Sequence, residues 1–340
     1  MQHETKPLPV GKLKLEQLQE LLQKYTTCDE RVVVGARVGE DAAVIDFGET
    51  YLVAKTDPIT FVTDDIGWYT IVVNANDIVT RGATPKWFLA TILLPEHQTT
   101  EYLVDAIFAQ LAAACRRYHI VLCGGHTEVT YGLDRPIVIG QMLGEVRKDQ
   151  LIQTSGARVG DDILLTKGIA IEATSIIASV KSQVLQHKYS VGFLHTCRQF
   201  IYTPGISVIE DAMAALESGH VSAMHDPTEG GLATGLHELA EAAGIGLRIQ
   251  YEAIPIFPET RTLCAEYELD PLGAIASGAL IVTAAPQETG RLLTGFQQKG
   301  IQASVIGKAT SAKEGRILVK TRRELPLPIY HQDEITQIFV

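Results

Sequence analysis

Short apolar runs alternate with amphipathic stretches along the chain, and the two kinds of spacing predict strands and helices in turn. Helices separate only some of the strands, which predicts an α+β fold with a mixed sheet rather than a regular doubly wound one. The elements predicted for the first half are, in order, helix 13–25, strands 42–47 and 51–57 around a tight turn, helix 66–82, strand 86–95, helix 99–118 and strands 120–125 and 136–146.

A seam at residues 157–162 separates this half from a second one of similar element content. The chain has 340 residues, which exceeds the usual size of a domain built on a single hydrophobic core. We therefore predict two domains, 1–156 and 157–340. The elements predicted for the second half are strand 162–168, helices 171–180 and 206–216, strand 221–226, helix 230–244, strand 278–285, helix 287–300 and strand 301–309.

Composition narrows the functional classes. The formal charge of −11 leaves no basic stripe, so we expect no nucleic-acid partner. No apolar stretch is long enough to span a membrane, and the polar start lacks a signal-peptide core, so we expect a cytoplasmic protein. The five cysteines are scattered and predict reduced thiols; Cys123 and His126 have the spacing of two zinc ligands, but no matching second pair follows.

Four acidic positions stand where apolar runs give way to turns or helices. Hard carboxylate oxygens are the ligands that Mg²⁺ prefers, usually together with substrate phosphates. Carboxylates that converge without a cation repel one another by about 4 kcal/mol per pair at roughly 4 Å and an effective dielectric of 20. Convergence would therefore imply a cation, whereas solvated turn residues are the plain alternative. The positions are Asp41, Asp57, the pair Asn76 and Asp77 within a predicted helix, and Glu128.

Further candidates combine glycine with polar side chains. Gly124 and Gly125 are expected to end a strand and to let backbone amides approach an anion, with His126 and Glu128 facing one side of the chain beyond them. Lysine beside glycine can reach a terminal phosphate, although it also suits a surface charge. A helix N-terminus can bind phosphate, although the residues before it also suit simple capping. These later candidates are Lys167, Gly168, Asp226, Thr228, Gly230 and Gly231.

Taken in order, these segments resemble one known family. GEDAAVI, KTDPI, NANDIVTRGA, GGHTEVT, LLTKG and HDPTEGGLATGL are similar to motifs of the superfamily of aminoimidazole ribonucleotide (AIR) synthase, whose fold is called PurM-like. The group includes the hydrogenase maturation factor HypE, selenophosphate synthetase and thiamine-monophosphate kinase. The resemblance runs from about Val34 to Val319, and it is strongest to HypE. P-loop, dinucleotide-binding, hydrolase and zinc-protease signatures do not occur.

The resemblance implies a two-domain protomer whose N-terminal halves pair into a dimer β-barrel, with a C-terminal α/β sandwich domain and ATP at the dimer interface. It implies that Asp41, Asp57 and Asp77 hold Mg²⁺ on the nucleotide phosphates and that the Gly124–Gly125 segment lies nearby. Its common chemistry activates an oxygen of a small molecule by attack on ATP. Asn76 is then expected to orient phosphate or metal-bound water, His126 or Glu128 to transfer a proton, and Lys167 with the Gly230 loop to cover the far phosphates.

The chain also departs from the family pattern. His126 stands where the family usually has an acid, and Ser277, Gly278 and Ala279 replace a Glu-Gly-Lys triplet. The sequence ends DEITQIFV, without the terminal cysteine on which HypE acts, so that reaction is not expected here. The departures leave open a non-catalytic nucleotide-binding dimer, such as a maturation or regulatory partner, and a zinc hydrolase around Cys123 and His126. The acceptor substrate and any maturation-factor protein partner are not identified by the sequence.

Overall fold

The computed structural model describes residues 13, 15–27, 29–37, 39–60 and 62–339, and it contains two open β-sheets flanked by helices. The first sheet has six strands in the order β1-β2-β3-β6-β4-β5. All neighbouring strands are antiparallel except β4 and β5. The elements are α1 (Leu15–Tyr25), β1 (Val32–Val34), β2 (Ala43–Asp46), β3 (Thr50–Ile59), α2 (Ile66–Val79), β4 (Thr84–Pro95), α3 (Glu101–Arg117), β5 (Val121–Thr130) and β6 (Ile137–Arg147).

The second sheet has seven strands in the order β13-β12-β9-β11-β7-β10-β8. Its helices lie on both faces. The elements are β7 (Asp162–Thr166), α4 (Ile171–Val180), α5 (Ser182–Leu185), α6 (Val191–Arg198), α7 (Ile209–Ser218), β8 (Ala223–His225), α8 (Gly231–Ala243), β9 (Gly246–Gln250), α9 (Pro258–Glu266), β10 (Ile281–Ala284), α10 (Pro286–Gln298), β11 (Ala303–Thr310), β12 (Arg316–Lys320) and β13 (Arg323–Pro326).

Helix α2 joins the two halves. Every residue of α2 is buried, because the helix packs against β3 and β6 on one side and against α3 and α7 on others. One hydrophobic cluster runs from its isoleucines and valines through α7 and α10 to the near face of the second sheet, while α8 covers the far face. The predicted mixed α/β architecture with two sheets is confirmed.

Two predicted strand ends are wrong. Strand β3 continues through Pro58, which pairs with Ile139 of β6. Proline is tolerated there because β2 is paired with β3 only as far as Ala54, so no ladder partner needs its missing N–H. Strand β5 continues through Gly124 and Gly125 to Thr130 instead of ending at the glycines. Among the described residues, no helix combines the length and the apolar content needed to cross a membrane.

Candidate active site

Three carboxylates from distant parts of the chain converge at the junction of the two sheets. Asp41 lies in the loop before β2, Asp77 in α2 and Asp226 directly after β8. One oxygen of each lies within 4.8 Å of the others. Asp77 and Asp226 are buried, and neither oxygen of Asp226 has a hydrogen-bond partner within the described ranges. A buried carboxylate without partners is costly, so this group is shaped for a ligand.

Lys55 supplies a positive charge to this site. Its Nζ atom lies 3.2 Å from Asp77 Oδ2 and 3.7 Å from Asp57 Oδ2. Asp57 is therefore linked to this group by its contact with Lys55, and it is not one of the three converging carboxylates. Its side chain is 36% exposed, against 5% for Asp77. Lys55 and Asp57 lie on the same face of β3 because successive side chains of a strand point to opposite faces.

Arg81 fixes the loop that carries Asp41. The guanidinium is fully buried just beyond α2, where it pairs with Glu40 and lies 3.3 Å from Asp41 Oδ2. It also donates to Thr154 Oγ1 at 2.7 Å. Glu40 accepts further hydrogen bonds from the backbone N–H groups of Thr154 and Ser155. The loop, α2 and the connection between the sheets are thus held by one buried ionic network.

His225 supports Asp41 from the other side. Its Nδ1 lies 2.9 Å from Asp41 Oδ2 and its Nε2 lies 3.0 Å from Glu238 Oε2 on α8. Burial opposes protonation, but the flanking carboxylates prevail and raise the pKa of His225 well above its ordinary value. The imidazolium therefore donates from both nitrogens and orients Asp41.

The environment pushes the three acidic pKa values apart. Burial, followed by the charge of Asp41, raises the pKa of Asp226 to about 7. Burial also raises the pKa of Asp77, with Asp226 adding to the effect and Lys55 opposing it. For Asp41, burial raises the pKa, but the charge and hydrogen bond of His225, with Arg81 and Lys55, lower it below its usual range. Without a cation, the site therefore holds protons near neutral pH.

His126 and Glu128 lie on strand β5, away from the three carboxylates. They face the same side, as predicted, and His126 Nε2 is 3.1 Å from Glu128 Oε2. Strand β5 is an edge strand three positions from β3, which corresponds to about 14 Å across the sheet. Cys123 donates its S–H to the carbonyl oxygen of Phe88 at 3.4 Å.

The two glycines of β5 have a structural explanation. Gly125 has φ of +148°, and a Cβ atom there would lie 2.0 Å from the carbonyl oxygen of Ala90. The register between β4 and β5 shifts just before Leu89, which pairs with Gly124. Close approach of two backbones at this irregularity accounts for the pair of glycines, so an anion is not needed to explain them.

Asn76 occupies a structural position. Its Nδ2 donates to the carbonyl oxygen of Ile206, and its Oδ1 accepts from the N–H of Val208, both at 2.9 Å. The side chain is fully buried and ties α2 to the segment before α7. These two bonds account for a buried asparagine in an apolar helix, and the predicted role of Asn76 in orienting phosphate stays a prediction.

Lys167 points into a different part of the second half. Its Nζ donates to the carbonyl oxygen of Ser207 at 2.6 Å and to Asp211 Oδ2 at 3.0 Å. Gly168 lies beneath the ring of Phe257, where a Cβ atom would be 2.9 Å from a ring carbon. The Lys167 ammonium is engaged in this buried ion pair, and its predicted reach toward terminal phosphates stays a prediction.

The Gly230–Gly231 turn is occupied by an internal carboxylate. Both glycines have positive φ, 76° and 66°, which explains the two residues at the start of α8 without a phosphate. The N–H of Gly230 donates to Asp333 Oδ2 at 2.6 Å, and Asp333 Oδ1 accepts from Ile275. This contact gives the N–H of Gly230 an internal acceptor, and its predicted phosphate-binding role stays a prediction. The carbonyl oxygen of Thr228 accepts the N–H of Gly231.

Sequence reasoning missed most of the residues that surround the carboxylates. It assigned Asp226 to the nucleotide rather than to the metal, and only its place before a helix drew attention to it. Lys55 has a signal, because it alternates with Asp57 on a strand. The contacts between buried charges that are far apart in the chain leave no signal in the sequence. The missed residues are Glu40, Lys55, Arg81, His225 and Glu238.

Family descriptions match most of the chain. The AIR synthase related protein N-terminal domain matches residues 39–146, and the corresponding C-terminal domain matches residues 158–320. The chain belongs to the AIR synthase related family. The predicted family is thereby confirmed, and so is its place among enzymes of the AIR synthase type.

Two curated relatives show the range of this AIR synthase family. Carbamoyl dehydratase HypE of Rhodobacter capsulatus is 26% identical over 303 residues, which cover 86% of this chain and 83% of that protein. Selenide, water dikinase of Dechloromonas aromatica is 28% identical over 321 residues, which cover 84% and 87%. The chain matches nearly the whole length of both.

Two solved structures show the same AIR synthase fold. HypE in complex with ATP superposes with a TM-score of 0.68 at 20% identity, covering 96% of this chain and 98% of that one. A chain of a HypE–HypF complex superposes with a TM-score of 0.68 at 21% identity, covering 85% of this chain and 93% of that one. At these identities the likeness establishes the fold.

Proposed function

We propose that this protein is a magnesium-dependent enzyme that uses ATP to activate an oxygen of a small molecule by phosphoryl transfer. The observation that carries the proposal is the convergence of Asp41, Asp77 and Asp226, with both oxygens of Asp226 buried and unpartnered among the described residues. The relatives support it, since they are named as a dehydratase and a dikinase and one related structure contains ATP.

The donor set fits Mg²⁺. It consists of carboxylate oxygens, which suit a hard divalent cation, and it leaves positions for substrate phosphates and water. Asp41, Asp77 and Asp226 would hold the ion, which would neutralise phosphate charge. Lys55 balances the carboxylates, His225 and Arg81 keep Asp41 in place, and Asp57 stands at the more exposed margin. Phosphoryl transfer depends mainly on such positioning and charge neutralisation.

A homodimer would complete the site. Strand β5 is exposed along most of its length, and its outer edge has no partner strand within the described chain. Such an edge is a template for pairing with another chain. A second copy paired there would form the proposed dimer barrel, and it would bring His126 and Glu128 of one subunit to the nucleotide of the other. We propose that the boundary between the two domains lies at residues 156–157.

A protein partner is also proposed. One related structure is a complex of HypE with HypF, which supports a maturation partner for this chain. The acceptor that receives the phosphoryl group is a small molecule.

The direct test is ADP formation in a substrate screen, with and without Mg²⁺. We expect ADP release that depends on Mg²⁺ and on one added acceptor, and loss of nucleotide binding when the metal is removed. Tight ATP binding without ADP under every acceptor would instead support the non-catalytic dimer. Unchanged nucleotide binding after complete removal of divalent ions would contradict the metal site itself.

Replacing Asp57 and Asp77 separately by asparagine distinguishes their roles. We expect Asp77→Asn to weaken Mg²⁺ binding by at least about 100-fold, because it removes a ligand, and Asp57→Asn by about 10-fold or less, because its charge acts from outside the group. Titration calorimetry with Mg²⁺ measures both. Equal losses would place Asp57 among the ligands, as the family resemblance implies.

Magnesium affinity should fall as the pH is lowered. The pKa of Asp226 is raised to about 7, so below that pH a proton competes with the cation for its carboxylate. We expect the apparent Kd for Mg²⁺ to rise at least about tenfold for each pH unit below about 7, since burial also raises the pKa of Asp77, with proton release on binding. Calorimetry in two buffers of different ionisation enthalpy measures the released protons. Binding that is independent of pH would contradict the proposed ligand.

A further inference from the structure

A cavity separate from the three carboxylates lies where α2, α3, α7 and the segment before β11 meet. Its volume is about 470 Å³, within the range of small-molecule sites. None of the three converging carboxylates lines it. Four of its sixteen lining residues are aromatic, whereas aromatic residues make up 6% of the chain. This enrichment marks a surface suited to a flat ligand.

The aromatic wall is held in place. The ring of Trp68 lies 5.2 Å from that of Tyr202 and 5.8 Å from that of Tyr118, measured between centroids. The indole N–H donates to the carbonyl oxygen of Ile201 at 3.3 Å. Because this polar atom is already satisfied, what Trp68 offers a ligand is its apolar ring.

The buried end of the cavity offers a hydrogen-bond acceptor. Asp211 is 2% exposed and pairs with Lys167 through Oδ2, while its Oδ1 is buried without a hydrogen-bond partner among the described residues. An acidic oxygen left in this state is costly unless a donor reaches it. The donor that fits is an N–H or O–H group of a bound molecule.

The outer part of the cavity carries positive charge. Arg117 is exposed, and its Cζ lies 5.3 Å from the centre of the Trp68 ring and 5.7 Å from that of Tyr118. Within the described ranges it forms no ion pair with a carboxylate, whereas Lys299 pairs with Glu217. Arginine, lysine and acidic residues on the wall sum to one net positive charge, on a chain of net charge −11. An anionic group would be favoured beside Arg117.

We propose that this cavity is a second ligand site, for a planar aromatic compound with an amino or hydroxyl group at one end and an anionic group at the other. The amino or hydroxyl group donates to Asp211 Oδ1. The ring stacks against the Trp68 wall, and the anionic group pairs with Arg117. The site is separate from the carboxylates proposed to use ATP, so each can be tested without the other.

Fluorine NMR of the full chain labelled with fluorotryptophan tests this site. The sequence has two tryptophans, and Trp87 does not line the cavity, so its signal is an internal control. Trp87→Phe assigns the Trp68 signal. We expect para-aminobenzoate to shift the Trp68 signal alone with a Kd on the order of 1 mM. Benzoate, which lacks the donor, and aniline, which lacks the anion, should each bind about tenfold more weakly.

Variants then locate the contacts. Arg117→Gln should weaken para-aminobenzoate about tenfold and leave aniline unchanged, while Arg116→Gln, at the adjacent position outside the cavity, should change neither. Asp211→Asn should make para-aminobenzoate bind no more tightly than benzoate. No shift of the Trp68 signal by any of the three probes at about ten times the expected Kd, or equal binding of all three to the unmodified chain, would overturn the proposal. The comparison of the three probes uses the unmodified chain, so it does not depend on whether any cavity variant folds. Binding of ATP with Mg²⁺ is measured separately, so failure of this site and failure of the proposed function can be told apart.

Discussion

Asp226→Asn is expected to make the metal-free protein more stable while abolishing its use of Mg²⁺. In the apo state, Asp226 is a buried carboxylate beside Asp41 and Asp77, and burial raises its pKa to about 7. Ionisation of Asp226 is therefore less favourable in the folded protein than in the unfolded chain, and we expect a gain of about 2 kcal/mol in the free energy of unfolding at about pH 8. Nucleotide turnover should fall at least about 100-fold.

The size of the gain depends on pH. A carboxyl group whose pKa is raised in the folded state costs stability as the pH rises from its unfolded pKa, about 4, to its folded pKa, about 7. The gain seen at about pH 8 should therefore shrink below about pH 7 and vanish only at about pH 4, where Asp226 is protonated in the folded state and largely protonated in the unfolded state. Chemical unfolding at both pH values, with and without Mg²⁺, measures this.

Asp162→Asn is the matched control. Asp162 is also buried but accepts from Thr289 and lies 3.5 Å from Lys308, so its replacement should lower stability and leave Mg²⁺ binding intact. A loss of stability in Asp226→Asn at about pH 8 would contradict the account, because it would show that the carboxylate already has partners in the apo protein.

Arg81→Met is expected to produce the largest loss of stability of any single change at the site. The guanidinium is fully buried between Glu40 and Asp41, and its removal leaves the Glu40 carboxylate buried and uncompensated. Breaking a buried ion pair in this way typically costs about 3–5 kcal/mol. Urea unfolding of the metal-free protein measures the loss.

The control for Arg81 uses the same acidic partner. Arg37 also pairs with Glu40, at 3.4 Å, but its side chain is 52% exposed. Arg37→Met should therefore cause a much smaller loss. Adding Glu40→Gln to Arg81→Met should restore part of the stability, because it removes the uncompensated charge. Equal effects of the two arginine changes would show that burial does not govern this network.

The fold could be predicted well where periodicity is strong. Leucine spacing identified α1, and the apolar run with a central Asn-Asp pair identified α2, although α2 ends at Val79 instead of Gly82. Strand β5 was cut short because glycine usually interrupts a strand, whereas here Gly125 permits close contact with β4. Strands β9, β12 and β13 were not predicted, because they are short and lack clean alternation.

The candidate site could be predicted only in part. The sequence singled out Asp41 and Asp77, which converge, because each acid interrupts an apolar pattern, and it singled out Asp57, which does not converge with them. It could not identify the third converging carboxylate, since Asp226 suits helix capping equally well. Gly230 was assigned to phosphate because the carboxylate of Asp333, about a hundred residues later, cannot be connected to it without coordinates. Contacts between distant buried charges leave no local pattern.

The central claim is that Asp41, Asp77 and Asp226 together hold a divalent cation. Anomalous diffraction from crystals grown with Mn²⁺ in place of Mg²⁺ and a non-hydrolysable ATP analogue tests it most directly. We expect a metal peak bonded to oxygens of all three carboxylates and to the phosphates of the analogue. A peak that lies on Asp57 or on His126 and Glu128, with none among the three carboxylates, would contradict it.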